Sequence, residues 1–230
     1  MTKLLSVLIP TLESRQHSFA TLRQKLQDQI QRHGLESEVE ILSFPDSGDL
    51  SIGYKRNALL DRASGAFVVF IDDDDDVSDD YLRRITQAIR NHPEIDCIGI
   101  KGQITFRGRH PHLLVYSLRY HEYRTENGVY VRPPQHITPI RREVALRHRF
   151  ADIRYSEDYD WALSMREEGA LRKEYFVDEI LYYYAARRSW WYQWLLDKTQ
   201  FIRHPLGLQF VNRLRLVRAF KNRTPHRRSE

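Results

Sequence analysis

The chain has 230 residues, 41% hydrophobic and 29% charged, enough for one full α/β core and tight for two compact domains. It contains no run of about 18 apolar residues, which excludes a membrane-spanning helix, and its single cysteine, Cys97, excludes a disulfide framework or a cysteine metal site. The net charge of +5 is uneven: residues 1–80 carry 8 Lys/Arg against 15 Asp/Glu, residues 187–230 carry 11 against 2, so an acidic front suits a cation and a basic tail an anionic partner.

The opening "MTKLLSVLIPTLESR" has no small-residue cleavage site and reads as a strand rather than a signal peptide, which makes a cytoplasmic location the default. Leu4 to Ile9 is a continuous apolar run, the pattern of a parallel strand buried on both faces, and Pro10 is expected to end it. Phe19, Leu22, Leu26 and Ile30 then recur at helical spacing up to Gly34. Val39 to Phe44 reads as a second strand, "PDSGD" (45–49) as a loop, and Ile52 to Ala63 as a helix with Gly65 as C-cap. Ala66 to Ile71 is a third buried strand. Ser78 is the expected cap of a helix with Leu82, Ile85 and Ile89 on one face and Asp79 and Asp80 complementing its dipole.

Residues 1–95 thus read β-α-β-α-β-α, which predicts a mainly parallel sheet with helices on both faces and a ligand beyond the carboxyl ends of the strands. The second half, 96–188, is mixed. Ile95 to Phe106 gives one or two strands, and 112–133 a hairpin turning at Asn127-Gly128. Thr138-Pro139 looks like a helix start, Ser156 caps a further helix that Gly169 ends, and Tyr182 to Ala185 forms a last strand. Residues 189–230 form a helical appendage with an aromatic stripe (Trp190, Trp191, Trp194) followed by arginines. Packing over the domain, a dimer contact and a peripheral membrane contact are all open to it.

The third strand runs directly into "DDDDD" (72–76). Carboxylates this close cannot all stay ionised without compensation. A hard divalent ion, Mn2+ or Mg2+, supplies it while taking one or two carboxylates and filling its shell from substrate phosphates. An EF-hand is excluded, because its Gly and Glu positions hold Val77 and Arg83. Asp73-Asp74-Asp75-Asp76-Val77 also matches the D-x-D-x-[TV] of haloacid-dehalogenase-type phosphohydrolases, although that motif belongs on a first strand.

Four stretches in order, "SVLIPTLESR" (6–15), "ILSFPDSGD" (41–49), "GYKRNALLDRASGAFVVFIDDDDD" (53–76) and "YSEDYDWALSMREEG" (155–169), resemble the landmarks of the GT-A glycosyltransferases of family 2. The resemblance implies an inverting transferase that moves a sugar from a nucleoside-diphosphate sugar to a glycan or lipid-linked acceptor. It implies Asp74 as metal ligand, Asp72 or Asp73 on the ribose or a metal-bound water, Asp46 accepting from the base, Pro10 and Thr11 lining the base pocket, and Arg56 on the nucleotide. Relatives complete the metal site with a histidine near 182–190; here Arg187 and Arg188 stand there and are candidates to clamp the diphosphate, leaving His136 as candidate third ligand. The acidic pair on the late helix implies Asp158 as base with Glu157 in support, and a helix first turn keeps such a carboxylate ionised. The departures are Leu12 and Glu13, where the family has an aromatic and Asn. The alternatives are a phosphohydrolase or a non-catalytic binder of an anionic glycan or nucleic acid; no helix-turn-helix or zinc-finger spacing supports nucleic acid.

Overall fold

The computed structural model describes residues 3–186, all within one compact unit, Met1–Arg187. The expected appendage and both Arg187 and Arg188 lie outside the described residues. Among those described, ten strands join in one sheet: β1 (Leu5–Leu12), β2 (Val39–Asp46), β3 (Phe67–Phe70), β4 (Asp76–Val77), β5 (Cys97–Phe106), β6 (Arg109–Tyr116), β7 (Arg124–Glu126), β8 (Val129–Arg132), β9 (Ile140–Arg141) and β10 (Glu174–Ala186). The order is β2-β1-β3-β9-β5-β6-β8-β7, with β10 on β5 and β4 on β10. β1 is parallel to β2 and β3, and β10 is parallel to β5. The short β9 is antiparallel to both β3 and β5, so β1, β2, β3, β5 and β10 all point the same way. The result is a mainly parallel central sheet flanked by helices.

The two faces follow from alternation along buried strands. Leu5, Val7, Ile9, Phe67, Val69 and Ile71 pack with Phe19, Leu22 and Leu26 of α1 (Gln16–His33) and with Leu82, Ile85 and Ile89 of α3 (Tyr81–Asn91). Leu8, Val68 and Phe70 face the other way. They pack with Leu59 and Leu60 of α2 (Ile52–Arg62), Val144 of α4 (Arg142–Arg147), and Trp161 and Met165 of α5 (Glu157–Glu167).

Several elements differ from the sequence reading. Pro10 does not end β1, which continues to Leu12 paired with Asp46. The Leu8 carbonyl accepts from Ile71 on the β3 side, and β3 stops pairing there; Pro10, two residues on, faces that vacated side, so its missing N–H costs no ladder bond. Gly65 is not the C-cap of α2, a position held by Ala63. It is required by close approach, since a Cβ there would lie 2.6 Å from the Ser6 nitrogen. Ser78 does not cap α3: Val77 pairs with Tyr182 and the Ser78 N–H donates to Leu181, which draws the chain into the sheet and delays the helix to Tyr81. Thr138-Pro139 starts no helix, because Ile140 is taken up between Val68 and Cys97. Ser156 sits at the N-terminus of α5 in a left-handed conformation, φ 70°, and its side chain makes no capping bond. The Asn127-Gly128 turn, with φ of 49° and 81°, joins only β7 to β8; residues 112–116 make their hairpin with β5, through a turn at Arg107-Gly108, and meet β8 in parallel. The last strand is far longer than Tyr182 to Ala185, because β5 offers it a partner along its whole length.

Candidate active site

The five aspartates leave the carboxyl end of β3 and point in different directions. Asp73 is 2% exposed and turned inward; Oδ2 accepts from Thr11 Oγ1 at 2.8 Å and from the Leu12 N–H at 3.0 Å, and Oδ1 from Arg15 Nη1 at 2.8 Å. Asp75 is buried with Oδ2 accepting from the Tyr182 hydroxyl at 2.6 Å and Oδ1 from the Ala185 N–H at 3.2 Å. Burial, then the charge of Asp72, pushes its carboxyl well above the usual range. Asp76 is exposed and meets Lys25 at 3.1 Å. Asp74 is half-buried at 28% exposure, with Oδ2 3.2 Å from Arg15 Nη1. Asp72 directs Oδ1 to Arg56 Nη2 at 3.0 Å and Oδ2 to His136 Nε2 at 3.7 Å. Burial opposes its ionisation, but Arg56 and His136 outweigh that and hold its carboxyl below the usual carboxylate range. Arg15, Lys25 and Arg56 therefore supply part of the compensation that the sequence assigned wholly to a metal.

Arg56, placed on the nucleotide by resemblance, is 3% exposed. Its guanidinium lies over the rings of Phe70 and Phe150, 5.3 and 5.7 Å from their centroids, and its Nε is 3.2 Å from Glu157 Oε1. It therefore holds Asp72 and Glu157 from beneath. Burial raises the Glu157 carboxyl, and Arg56 offsets part of that. Asp158 is half-buried, its Oδ2 3.5 Å from His136 Nδ1. The His136 backbone carbonyl accepts from the Phe70 N–H at 2.9 Å, which fixes the residue to the end of β3. Asp72, Arg56, His136, Glu157 and Asp158, drawn from β3, α2, the segment before β9 and α5, thus form one cluster.

A second network adjoins it. Asp46 Oδ1 is 2.5 Å from Lys55 Nζ, and its Oδ2 accepts from the Gly48 and Leu50 N–H groups at 3.0 and 3.1 Å. Burial would raise the Asp46 carboxyl, yet Lys55 and the two amides hold it below the usual range. Lys55 also donates to the Thr11 carbonyl at 3.0 Å. Pro10 and Thr11 are buried behind it. Arg154 donates to the carbonyls of Gly48 and Asp49, tying this loop to the approach to α5. Lys55 and Arg15 were missed by the sequence reading. Helical spacing carries the signal for Lys55: Leu59 and Leu60 set the buried face, and four residues back on that face lie Lys55 and Arg56.

Among the described residues no three His, Cys, Asp or Glu side chains converge closely enough to hold an ion by themselves. Magnesium and manganese need only one or two carboxylates, with substrate oxygens completing the shell. The half-exposed Asp74 can meet that requirement from the solvent side, while Asp73 and Asp75 are buried. Both nitrogens of His136 are turned toward carboxylates.

A mainly parallel sheet with helices on both faces, acids at its carboxyl edge and a second acidic pair on a late helix define a GT-A-type α/β domain. The family-wide sequence model for glycosyl transferase family 2 matches residues 22–149, and the chain belongs to that family. No curated protein matches it. Among solved structures it is similar to S. aureus TarS 1–349 in complex with UDP-GlcNAc, at 16% identity and a TM-score of 0.54, over 81% of this chain and 59% of that one. The same protein in complex with UDP gives 18% identity and a TM-score of 0.55, over 80% of this chain and 60% of that one. A longer S. aureus TarS structure gives 15% and 0.53, over 80% of this chain and 37% of that one. The chain therefore spans three fifths or less of each of these structures.

Proposed function

We propose that the protein is an inverting glycosyltransferase that moves a sugar from a uridine-diphosphate sugar to an acceptor hydroxyl, with Asp158 as the base. The observation that carries this reading is the pairing of acids from two elements, Asp72 at the end of β3 and Asp158 at the start of α5, bridged by His136. The TarS complexes with UDP and UDP-GlcNAc support uracil as the nucleobase and a nucleotide sugar as the donor class.

Asp46, kept ionised by Lys55, accepts a hydrogen bond from the uracil ring of the donor. A divalent ion held by Asp74 would neutralise the charge that develops on the leaving diphosphate. The acceptor oxygen attacks the anomeric carbon as the bond from that carbon to the phosphate oxygen breaks, and the bonding pair leaves with the diphosphate. The acceptor proton passes to Asp158 on the first turn of α5, on a different element from the aspartate block. Glu157 supports Arg56 rather than taking the proton, since it is 4% exposed.

Asp158→Asn tests this. It should keep donor binding and lose transfer by at least ~100-fold, the low end for a general base, and the wild-type product should carry the inverted anomeric configuration. Near-normal transfer by the variant, or a retained configuration, contradicts the mechanism.

A further inference from the structure

Tyr159 follows Asp158 on the first turn of α5 and is 42% exposed. Single exposed apolar residues are ordinary on a protein surface; the partners of this tyrosine set it apart. Its ring meets that of Tyr123 edge to face, with centroids 5.2 Å apart and planes at 78°. The Tyr123 hydroxyl donates to Gln135 Oε1, and Gln135 precedes His136, whose ring faces Asp158 across 3.5 Å. The start of α5 and the segment before β9 therefore meet at two adjoining points, Asp158 with His136, and Tyr159 through Tyr123 with Gln135. The aromatic pair is thus fixed directly beside the base.

Arg132, the last residue of β8, stands over the Tyr123 ring with Cζ 4.3 Å from its centroid. The sheet sets its place: it pairs with Tyr116 of β6, and its carbonyl accepts from the Ser117 N–H at 3.0 Å. Pro133 and Pro134 stiffen the chain that follows. Other arginines about the site are engaged, Arg15 with Asp73 and Asp74, Arg56 with Asp72 and Glu157, and Arg154 with the Gly48 and Asp49 carbonyls. Among the described residues the Arg132 guanidinium makes no ion pair and no hydrogen bond. Its fork of N–H donors matches a carboxylate or phosphate. The exposed tyrosine ring beside it suits a different surface, the C–H face of a sugar, which lies flat on an aromatic ring while the hydroxyls point outward. Apolar area with a few placed polar groups is the make-up of a ligand site.

We propose that Tyr159, Tyr123 and Arg132 form the acceptor subsite and that the acceptor is a carbohydrate bearing an anionic group. Its sugar ring rests on Tyr159, its carboxylate or phosphate pairs with Arg132, and a free hydroxyl is brought to Asp158. The donor diphosphate belongs with Asp74 at the end of β3, whereas Arg132 is reached from Asp158 through the two tyrosines, on the side from which the acceptor arrives. This inference rests on Asp158 being the base.

Two measurements test it. The first is NMR of the tyrosine rings during titration with glucose, glucuronate, glucose-6-phosphate and inorganic phosphate, with the Tyr159 signals identified by their loss in Tyr159→Phe. Glucuronate and glucose-6-phosphate should move them at concentrations about 10-fold or more below glucose, the effect of one charged hydrogen-bonded pair, and inorganic phosphate should be weaker than its sugar ester. Arg132→Gln should erase the advantage of the acids. Tyr159→Ala should weaken all three sugars and Tyr159→Phe, which keeps the ring, should restore them, both read on Tyr123. An equal response to glucose and the acids, an advantage that survives Arg132→Gln, or no response to any sugar overturns the subsite. The second is UDP release from a panel of UDP-sugars with the same sugars added. The acidic sugars should speed release more than glucose does, and Arg132→Gln should remove the difference. A donor KM raised at least ~10-fold in Arg132→Gln would put that residue on the donor diphosphate and overturn its assignment to the acceptor. Sugar binding that persists without transfer from any UDP-sugar would instead refute the reading of the protein as a transferase, and normal turnover by Asp158→Asn would refute the base.

Discussion

Replacing Arg56 by methionine removes the cation that joins Asp72 to Glu157. The side chain is 3% exposed, and its partners lie 3.0 and 3.2 Å away, with Glu157 at 5% exposure and Asp72 at 31%. Methionine keeps most of the volume between Phe70 and Phe150 but forfeits the desolvated cation–π contact, about 2 kcal/mol. The larger loss is electrostatic, because two carboxylates remain without their common cation. Stripping one partner from a buried pair costs about 3–5 kcal/mol. For a domain of this size that corresponds to a fall in Tm of about 6–20 °C. The loss has a pH signature. Arg56 lowers both carboxyls, so its contribution exists only while they are ionised. Glu157, already raised by burial, takes a proton before Asp72 as pH falls, and the gap between wild type and variant should narrow as pH drops from neutral toward the ordinary carboxylate range. Circular-dichroism melts across that range measure it. A gap under about 1 kcal/mol, or one that does not change with pH, would refute the reading of Arg56 as the link beneath the site.

Asp74→Ala should abolish metal-stimulated nucleotide release while leaving Tm unchanged or slightly raised, since it removes one like charge from a crowded acidic turn; thermal melts beside a release assay check both parts, and retained metal stimulation counts against Asp74 as the ligand. Gly53→Ala should destabilise by about 1–3 kcal/mol or more, because a Cβ there would lie 1.8 Å from the Ala151 carbonyl oxygen and must push α2 away from the approach to α5; urea titration reads the change, and a stability equal to wild type would deny that close packing.

What could be read in advance was local. Helical spacing of Phe19, Leu22, Leu26 and Ile30 ahead of Gly34, and the apolar runs of β1 and β3, gave the parallel half of the sheet and so the edge on which a site belongs. The segments misread owe their state to distant partners. Ile140 and Arg141 are a strand because β3 and β5 leave a gap between them, and Asp76 and Val77 are one because β10 returns beside them. Neither fact has a signature within a few residues of the segment.

The site divides the same way. Five acids at a strand end, and acids opening a late helix, were visible as charge in an unexpected place. Their separate destinations were not. Asp73 goes to Thr11 and Arg15, Asp75 to Tyr182, Asp76 to Lys25 and Asp72 to Arg56 and His136, because sequence does not say which way each carboxylate turns. Arg56, placed on the nucleotide by resemblance, is a buried counter-ion of Asp72 and Glu157; its place on the face of α2 that carries Leu59 and Leu60 was the sign of its burial.

The most direct test of nucleotide-sugar transfer is a screen of nucleotide sugars for release of the nucleoside diphosphate, run with Mn2+, with Mg2+ and with excess chelator. The account predicts slow UDP release from at least one UDP-sugar, dependent on the divalent ion and lost in Asp74→Ala. Failure to release a diphosphate from any nucleotide sugar in the presence of either ion, by protein that remains folded, would contradict it.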